Sequence, residues 1–492
     1  MKNFVKLIFF IFIICPSNYT IAQAVKFEKV YGGTGYDYGH SVAQTFDKGY
    51  VIAGATTSFG VGSTDAYILK TDSMGVVLWQ KTFGGINIDQ FYSIKETSDS
   101  GFVMAGFTNS EGNGGYDMYV VKTDKNGDSL WTKSFGGTNW DFAYSVEQTS
   151  DGGYIIAGAT YSYGNGNTDM YLVKTDADGD TLWTKSFGGA NVDEARSVKQ
   201  LNDGGFVLTG SSKSYDADGD FYTIRTNSLG DTLWTNKFGG AEEDAAFDIL
   251  ESITGELIIG GKTKSLGNGN FDGLIIKLSP SGLLTSVVNY GGTDDDGLNA
   301  IAESSTGRLA MVGYTYSFSS GIGTSDYLLY IENPFNGFHS GTFGGFKLEK
   351  AYSISNTKDN GYIICGNTSS YSNLEHIYLI KTDSNGVSSG SVINFVTDIN
   401  NNTLKSNGNF NIFPNPAADN LFLNFDFLSP HGNLSYQVTI TDVLGRLKLQ
   451  ELNCSSAAGP FFMDVSGLLS GVYFINIENN FFSYNQKIII QH

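Results

Sequence analysis

Aspartates recur at two fixed places in this chain, and their carboxylates could bind cations or polar ligands. The first series is Asp37, Asp89, Asp141, Asp193, Asp244 and Asp296. The second series is Asp65, Asp117, Asp169, Asp220, Asp272 and Asp326. Asp also accepts backbone N–H bonds in turns. Because both series recur so regularly, capping of loops is the preferred interpretation, and Asp141 and Asp169 are kept as candidates for ligand binding.

The turn at residues 176–180 is a candidate calcium site. Asp176, Asp178 and Asp180 alternate along it as calcium-binding carboxylates do, and residues 216–220 repeat the pattern. Neither turn has the distal Glu that completes an EF-hand. A tight hairpin with Gly179 at positive φ explains the first turn as well. The prediction is therefore no obligatory cofactor, with calcium as the alternative.

Trp140 is the tryptophan that departs from a regular pattern. The four others each precede a Gly-Gly doublet by five residues and are expected to pack between repeats; they are Trp79, Trp131, Trp183 and Trp234. Trp140 lies in the loop before Asp141, and Tyr36 holds the equivalent place in the first repeat. An exposed aromatic ring there could stack on a sugar or anchor a protein partner. The alternative is local packing against the neighbouring repeat.

Residues suited to catalysis are sparse. The five histidines are scattered without metal-ligand spacing. No unique pair of acids stands apart from the repeated ones. A carbohydrate-active hydrolase or lyase is therefore the alternative to a binding protein, since enzymes of this architecture draw catalytic residues from separate repeats.

The element that must position these residues is a repeat of about 52 residues. Its marker is a Gly-Gly doublet that begins at Gly32, Gly84, Gly136, Gly188, Gly239, Gly291 and Gly344. Each clear copy holds four apolar, strand-like runs joined by turn residues, which is the content of one propeller blade. The segment Phe27–Tyr31 matches a fourth strand without its first three. We expect it to complete the last blade and so close the ring.

The third copy carries a family resemblance. Its sequence, DGGYIIAGATYSYGNGNTDMYLVKTDADGDTLWTKSFGG, resembles the β-propeller repeats of secreted and cell-surface Bacteroidota proteins. The fold class expected is all-β, with a seven-bladed β-propeller over residues 25–396 and a small C-terminal β-sandwich. Such propellers serve many functions, so the resemblance indicates architecture and leaves the ligand open.

The two ends of the chain predict export. Residues 1–24 have the basic start, short apolar run and small-residue cleavage site of a signal peptide. Residues 397–411 are rich in Asn, Ser and Thr and are predicted to be a linker. Residues 412–492 follow a new, non-repeating pattern, whose signal residues are Pro414, Asn415, Pro416, Gly445, Arg446, Gly471, Tyr473 and Lys487.

This tail resembles the type A C-terminal sorting domain of the type IX secretion system. The resemblance implies that the secretion machinery is a partner and that the protein is secreted or displayed on the outer-membrane surface. It leaves open whether the cargo is released or attached. No transmembrane segment is expected in the mature chain.

Composition narrows the ligand class. The formal net charge is −20 and charged residues make up 16% of the chain. Nucleic-acid binding is excluded because it needs clustered Lys and Arg. The sequence thus predicts a non-enzymatic binding or adhesion module for a glycan or a protein. A calcium-stabilised structural surface protein is a further alternative.

Overall fold

The computed structural model describes residues 25–492, apart from 216–217, 320–323, 334–336, 372–373, 390–391, 397–408, 414–416, 418–419, 427–434, 443–445, 456–460 and 480–481. All regular structure in these residues is β-strand. The described residues include no helix that is long and apolar enough to cross a membrane. The predicted signal peptide lies outside the described residues.

Each repeat forms an antiparallel sheet of four strands, which confirms the predicted strand content. The inner strands are β2 (Asp37–Gln44), β6 (Asp89–Glu96), β10 (Asp141–Gln148), β14 (Asp193–Gln200), β18 (Asp244–Glu251), β22 (Asp296–Glu303) and β26 (Glu349–Asn356). The second strands are β3 (Tyr50–Thr56), β7 (Phe102–Thr108), β11 (Tyr154–Thr160), β15 (Phe206–Ser212), β19 (Leu257–Thr263), β23 (Leu309–Thr315) and β27 (Tyr362–Thr368).

The outer half of each sheet is built in the same way. The third strands are β4 (Asp65–Thr71), β8 (Asp117–Thr123), β12 (Asp169–Thr175), β16 (Asp220–Thr226), β20 (Asp272–Leu278), β24 (Asp326–Asn333) and β28 (His376–Thr382). The outer strands are β5 (Val77–Phe83), β9 (Ser129–Phe135), β13 (Thr181–Phe187), β17 (Thr232–Phe238), β21 (Leu284–Tyr290) and β25 (Gly337–Phe343).

The last of these sheets is completed by the first strand of the chain. Strand β1 (Phe27–Gly32) pairs antiparallel with β28, with Phe27 opposite Lys381, as the sequence predicts. Strand β29 (Val392–Val396) then adds to β1 in parallel, a strand that the sequence did not predict. Inner strands of successive sheets contact each other, and β26 contacts β2. The series of sheets therefore closes on itself around the inner strands.

The core lies between neighbouring sheets. The second and third strands are almost wholly buried, because both of their faces meet an adjacent sheet. One such layer joins Val103 and Val120 of one sheet to Val146 and Ile156 of the next. At its edge Trp131 packs on Tyr154, with ring centroids 5.6 Å apart. This contact confirms the expected packing of the repeated tryptophans between repeats.

The C-terminal segment forms two further sheets. The smaller contains β30 (Asn409–Phe413), β31 (Asn420–Asp426) and β34 (Phe461–Asp464). The larger has the order β33 (Leu447–Ser455), β32 (Ser435–Asp442), β35 (Gly471–Asn479) and β36 (Phe482–Ile490). Leu421 of the smaller sheet and Val438, Ile475 and Ile488 of the larger belong to one buried cluster, so the two sheets share a core.

Candidate binding site

Every inner strand contains a β-bulge at its fourth residue. In β10 the pairing with β11 jumps from Ala143 to Ser145, so Tyr144 has no partner in the ladder. The other sheets show the same register shift. The residues skipped are His40, Tyr92, Tyr144, Arg196, Phe247, Asn299 and Tyr352. A bulge re-aims a side chain, and here it directs all of these side chains toward the axis.

A glycine in the second strand makes each bulge sterically feasible. A Cβ on Gly158 would lie 1.8 Å from the carbonyl oxygen of Phe142, a clash with backbone that no rotamer change relieves. The equivalent glycines meet the same obstacle at 1.8–2.1 Å; they are Gly54, Gly106, Gly210, Gly261, Gly313 and Gly366. This glycine of the second strand therefore allows the inner strand to approach closely enough to form the bulge.

The bulge residues line a cavity of about 410 Å³, which we name the axial channel. Lys95, Lys199, Asp248 and Ser353 of the inner strands also line it. The bulge residues differ in chemistry from repeat to repeat, as do the second and seventh residues of the inner strands, whereas the first residue is an acid in every sheet. A concave site with a few convergent polar groups and aromatic walls is the usual form of a ligand pocket.

Aromatic rings form one wall of the axial channel. The His40 ring stacks on Tyr92 at 4.9 Å and meets Tyr352 edge-on at 5.9 Å, and Tyr92 lies 5.3 Å from Tyr144. Burial lowers the pKa of His40. Its Nδ1 lies 2.8 Å from the carbonyl oxygen of Phe91. Because a carbonyl only accepts, the neutral ring carries its proton on Nδ1, which leaves Nε2 as an acceptor.

Charged groups form the other wall. The Arg196 guanidinium lies 4.1 Å from the centroid of the Tyr144 ring and pairs with Glu194. Lys199 pairs with Glu147 at 3.5 Å. The charge of Lys199, followed by burial, lowers the pKa of Lys95 to about 8. The axial channel thus presents cations, acids and aromatic faces together, within a chain whose repeats are otherwise uniform.

The two aromatic residues predicted from the sequence lie in the loops that lead into the inner strands β10 and β2, outside the lining of the axial channel; we call these loops the mouth. Trp140 is 51% exposed and Tyr36 is 44% exposed. Tyr36 stacks on Tyr38 at 6.2 Å, and Tyr38 stacks on His40 at 6.2 Å. Both predicted residues are therefore exposed, and Tyr36 connects to the channel wall through ring contacts.

A second series of rings starts at Trp140. Trp140 meets Tyr116 edge-on at 5.7 Å, and Tyr116 lies 5.6 Å from Phe142. Phe142 in turn stacks on Tyr144 at 6.4 Å. Both series end at the aromatic wall, so ring-to-ring contacts connect Trp140 and Tyr36 to the axial channel.

The repeated acids do not line the axial channel. Asp141 is fully buried; its carboxylate accepts bonds from Gly137 N at 2.9 Å, from Ser162 Oγ at 2.6 Å and from Thr160 Oγ1. In the last sheet Glu349 takes this role, accepting from Gly345 N at 3.1 Å and Thr368 Oγ1 at 2.8 Å.

Asp169 is 2% exposed and accepts from Asn165 N and Gly166 N, both at 3.0 Å. These contacts are those of loop-capping carboxylates. Ligand binding by Asp141 or Asp169 stays a prediction.

The predicted calcium turn has a hairpin geometry. Asp176 Oδ1 accepts from Asp178 N at 3.0 Å and Asp180 N at 2.8 Å, and Asp180 pairs with Lys133 at 2.7 Å. Asn227 makes the equivalent backbone bonds in the next repeat, at 2.9 Å. A carboxylate is therefore not needed for this turn. Within the described ranges, no three His, Cys, Asp or Glu side chains form a group suited to a metal ion.

The predicted sorting-signal residues fall partly outside the described residues, namely Pro414, Asn415, Pro416 and Gly445. Arg446 Nε donates to Asp442 at 2.7 Å, which closes the turn after β32. Gly471 begins β35, and the Tyr473 hydroxyl donates to Leu469 O at 2.9 Å. Lys487 lies in β36, opposite Phe474.

Sequence reasoning missed the bulge residues. The sequence did contain a signal for them. When the inner strands are aligned by their first acidic residue, the fourth residue varies among them, while small residues or serine often flank it. Variation among the repeats within the inner strands was therefore the feature to follow.

Comparison with known proteins identifies both parts of the chain. Residues 411–491 match the secretion system C-terminal sorting domain, and residues 149–181 match a β-propeller domain of unknown function. The chain therefore combines β-propeller repeats with a sorting tail and is exported by type IX secretion to the cell surface or outside. The resemblances drawn from the sequence are confirmed.

Similarity to individual proteins is more distant. The regulatory protein FlaEY of Caulobacter vibrioides is 28% identical over 243 residues, which are 43% of this chain and 25% of that protein. The chain thus spans about a quarter of that relative's length. Among solved structures, Sqt1 from Chaetomium thermophilum gives 12% identity and a TM-score of 0.42, covering 70% of this chain and 82% of the other. A puromycin hydrolase gives 12% identity and a TM-score of 0.43, covering 81% and 60%.

Proposed function

We propose that this protein is a non-enzymatic binding or adhesion module that holds a glycan in the axial channel and at its mouth. In this proposal the sheets of the repeats are the blades of one seven-bladed propeller over residues 25–396. Residues 412–492 form a β-sandwich sorting domain that delivers the propeller outside the cell. The observation that carries the proposal is the run of aromatic rings from Trp140 and Tyr36 into a channel lined by non-repeating residues.

The physical argument is one of surface chemistry. Sugar rings offer apolar faces that stack on aromatic side chains and hydroxyl groups that bond with polar ones. The wall of His40, Tyr92 and Tyr144 supplies aromatic faces for stacking. Arg196 and Asn299 supply polar groups for hydrogen bonds. A scaffold alone would need no such variation, because the same packing recurs in every repeat.

A carbohydrate-active lyase or hydrolase is the second candidate. The observation that favours it is a neutral His40 and a Lys95 of lowered pKa in one channel, since both are suited to proton transfer. Production of shorter fragments from a retained polysaccharide would select this candidate over simple binding.

Retention on a panel of immobilised polysaccharides tests the proposal. We expect the purified chain to be retained, and Trp140→Ala and Tyr36→Ala each to weaken retention. Tyr215→Ala is the matched control, because Tyr215 is 46% exposed but contacts Tyr222 and Lys237 instead of the channel. Retention of both mouth variants at the level of the control would contradict a glycan site here. Loss of retention with a chelator would add calcium to the proposal.

A further inference from the structure

Charge at the seventh place of the inner strands is confined to three successive sheets. The seventh residue of the inner strand is Lys95, Glu147 and Lys199 in three successive sheets. In the other sheets the equivalent residues are uncharged: Ala43, Leu250, Ala302 and Ser355. Lys95, Lys199 and Ser355 line the cavity itself. The channel is thus asymmetric, with two ammonium groups on one wall.

The two ammonium groups are not equally compensated. Glu147 pairs with Lys199 at 3.5 Å, and its other oxygen accepts from Gln200 N at 3.0 Å. Lys95 makes no ion pair with a carboxylate of the described residues, although Glu147 and Asp248 are near enough to favour its charge. The strongest influence on Lys95 is repulsion by Lys199.

Two like charges held together in a partly desolvated channel are unfavourable until an anion is placed between them. A carboxylate or sulfate would accept bonds from both ammonium groups, and charge-assisted bonds of this kind are stronger than neutral ones. The aromatic side chains of His40, Tyr92 and Tyr144 line the same cavity, so the sugar ring that carries the anionic group can stack on them.

We propose that Lys95 and Lys199 bind the carboxylate of a uronic-acid sugar in the axial channel. This inference rests on the proposed glycan site and specifies the class of glycan. The remaining wall residues then select the ring, whereas the lysine pair selects its charge. Arg196, compensated by Glu194, holds the Tyr144 ring in place beside this pair.

Titration of Lys95 by NMR tests the inference with a simple probe. After reductive ¹³C-methylation of the purified chain, its pKa is measured with sodium galacturonate, with galactose and with sodium sulfate. We expect galacturonate to raise the pKa of Lys95 from about 8 toward the ordinary lysine value, and galactose to leave it unchanged. No shift with galacturonate, or a shift with sulfate alone, would overturn the acidic-sugar assignment.

Retention on polygalacturonate and on its neutral methyl ester supplies the second arm. Lys95→Met should weaken retention on the acidic polymer by about tenfold or more and leave the ester unaffected. Lys95→Arg should restore it, and Lys133→Met is the matched control on an exposed lysine. Equal retention of both polymers by the unmodified chain would overturn the inference while leaving the glycan site standing. If the unmodified chain retained neither of these polymers and no other glycan, the proposed glycan-binding function would be contradicted as well.

Discussion

The first and fourth residues of the inner strands follow opposite rules. The first is Asp in six sheets and Glu349 in the last, it is fully buried, and it makes the same loop contacts throughout. The fourth is Tyr in three sheets and His, Arg, Phe or Asn in the others, and it faces the axial channel. Positions that are uniform among the repeats therefore build the ring, whereas the fourth residue, which has no partner in the β-ladder, is available to contact a ligand.

The largest effect should come from the glycine that permits the bulge. Gly158→Ala places a Cβ 1.8 Å from Phe142 O, so either the bulge or the sheet must give way. We expect a loss of about 3 kcal/mol or more in the free energy of unfolding, measured with denaturant. Gly341→Ala is the matched control, because a Cβ there meets only Phe343, at 3.7 Å. Equal stability of the two variants would break the link between this glycine and the bulge.

The next effect concerns the uniform acids. Asp141→Ala leaves Gly137 N and the hydroxyl groups of Thr160 and Ser162 without their buried acceptor. Thermal and denaturant unfolding should show a loss of about 2–3 kcal/mol, with unchanged glycan specificity in the folded fraction. A fully stable Asp141→Ala chain that no longer binds glycan would instead move Asp141 into the ligand site.

The smallest effect is the pH dependence of a recurring carboxylate in the hairpin that follows an inner strand. Burial opposes the charged form of Asp151, but bonds from Thr149, Lys174 and Gly153 outweigh it and lower the pKa to about 2 from an ordinary value of 3.8. Its stabilising contribution is therefore complete above about pH 4 and is lost as the pH falls to about 2.

Because the Asp151 side chain is 57% exposed, Asp151→Asn should cost less than about 1 kcal/mol at pH 6 and nothing at pH 2. Thr254 holds the equivalent place in the fifth repeat, and Thr254→Asn should show no such pH dependence. A cost for Asp151→Asn that is equal at both pH values would show that the carboxylate charge contributes nothing.

The sequence predicted the ring well because its signals are local and repeated. Strand-forming runs and turn residues recur from repeat to repeat. The isolated segment Phe27–Tyr31 matches the fourth strand that the last repeat lacks. The sequence also singled out Trp140, which is exposed and packs on Tyr116 of the neighbouring repeat, because that ring departs from the repeat. The bulge was missed because the side chain of Tyr144 points to the axis only through a register shift against β11, which depends on the approach of Gly158. Strand β29 was missed because Val392–Val396 has no counterpart in the other repeats.

The most direct test of the account is glycan binding by a chain that lacks one aromatic ring and the guanidinium of the axial channel. Asn299 shows that the fourth residue of an inner strand can be asparagine, so Tyr92→Asn combined with Arg196→Asn should keep the bulges and the fold, which thermal unfolding checks. Calorimetric titration with the glycan that the unmodified chain retains should then show binding reduced by about tenfold or more. Unchanged affinity in this stable double variant would contradict the assignment of the axial channel as the binding site.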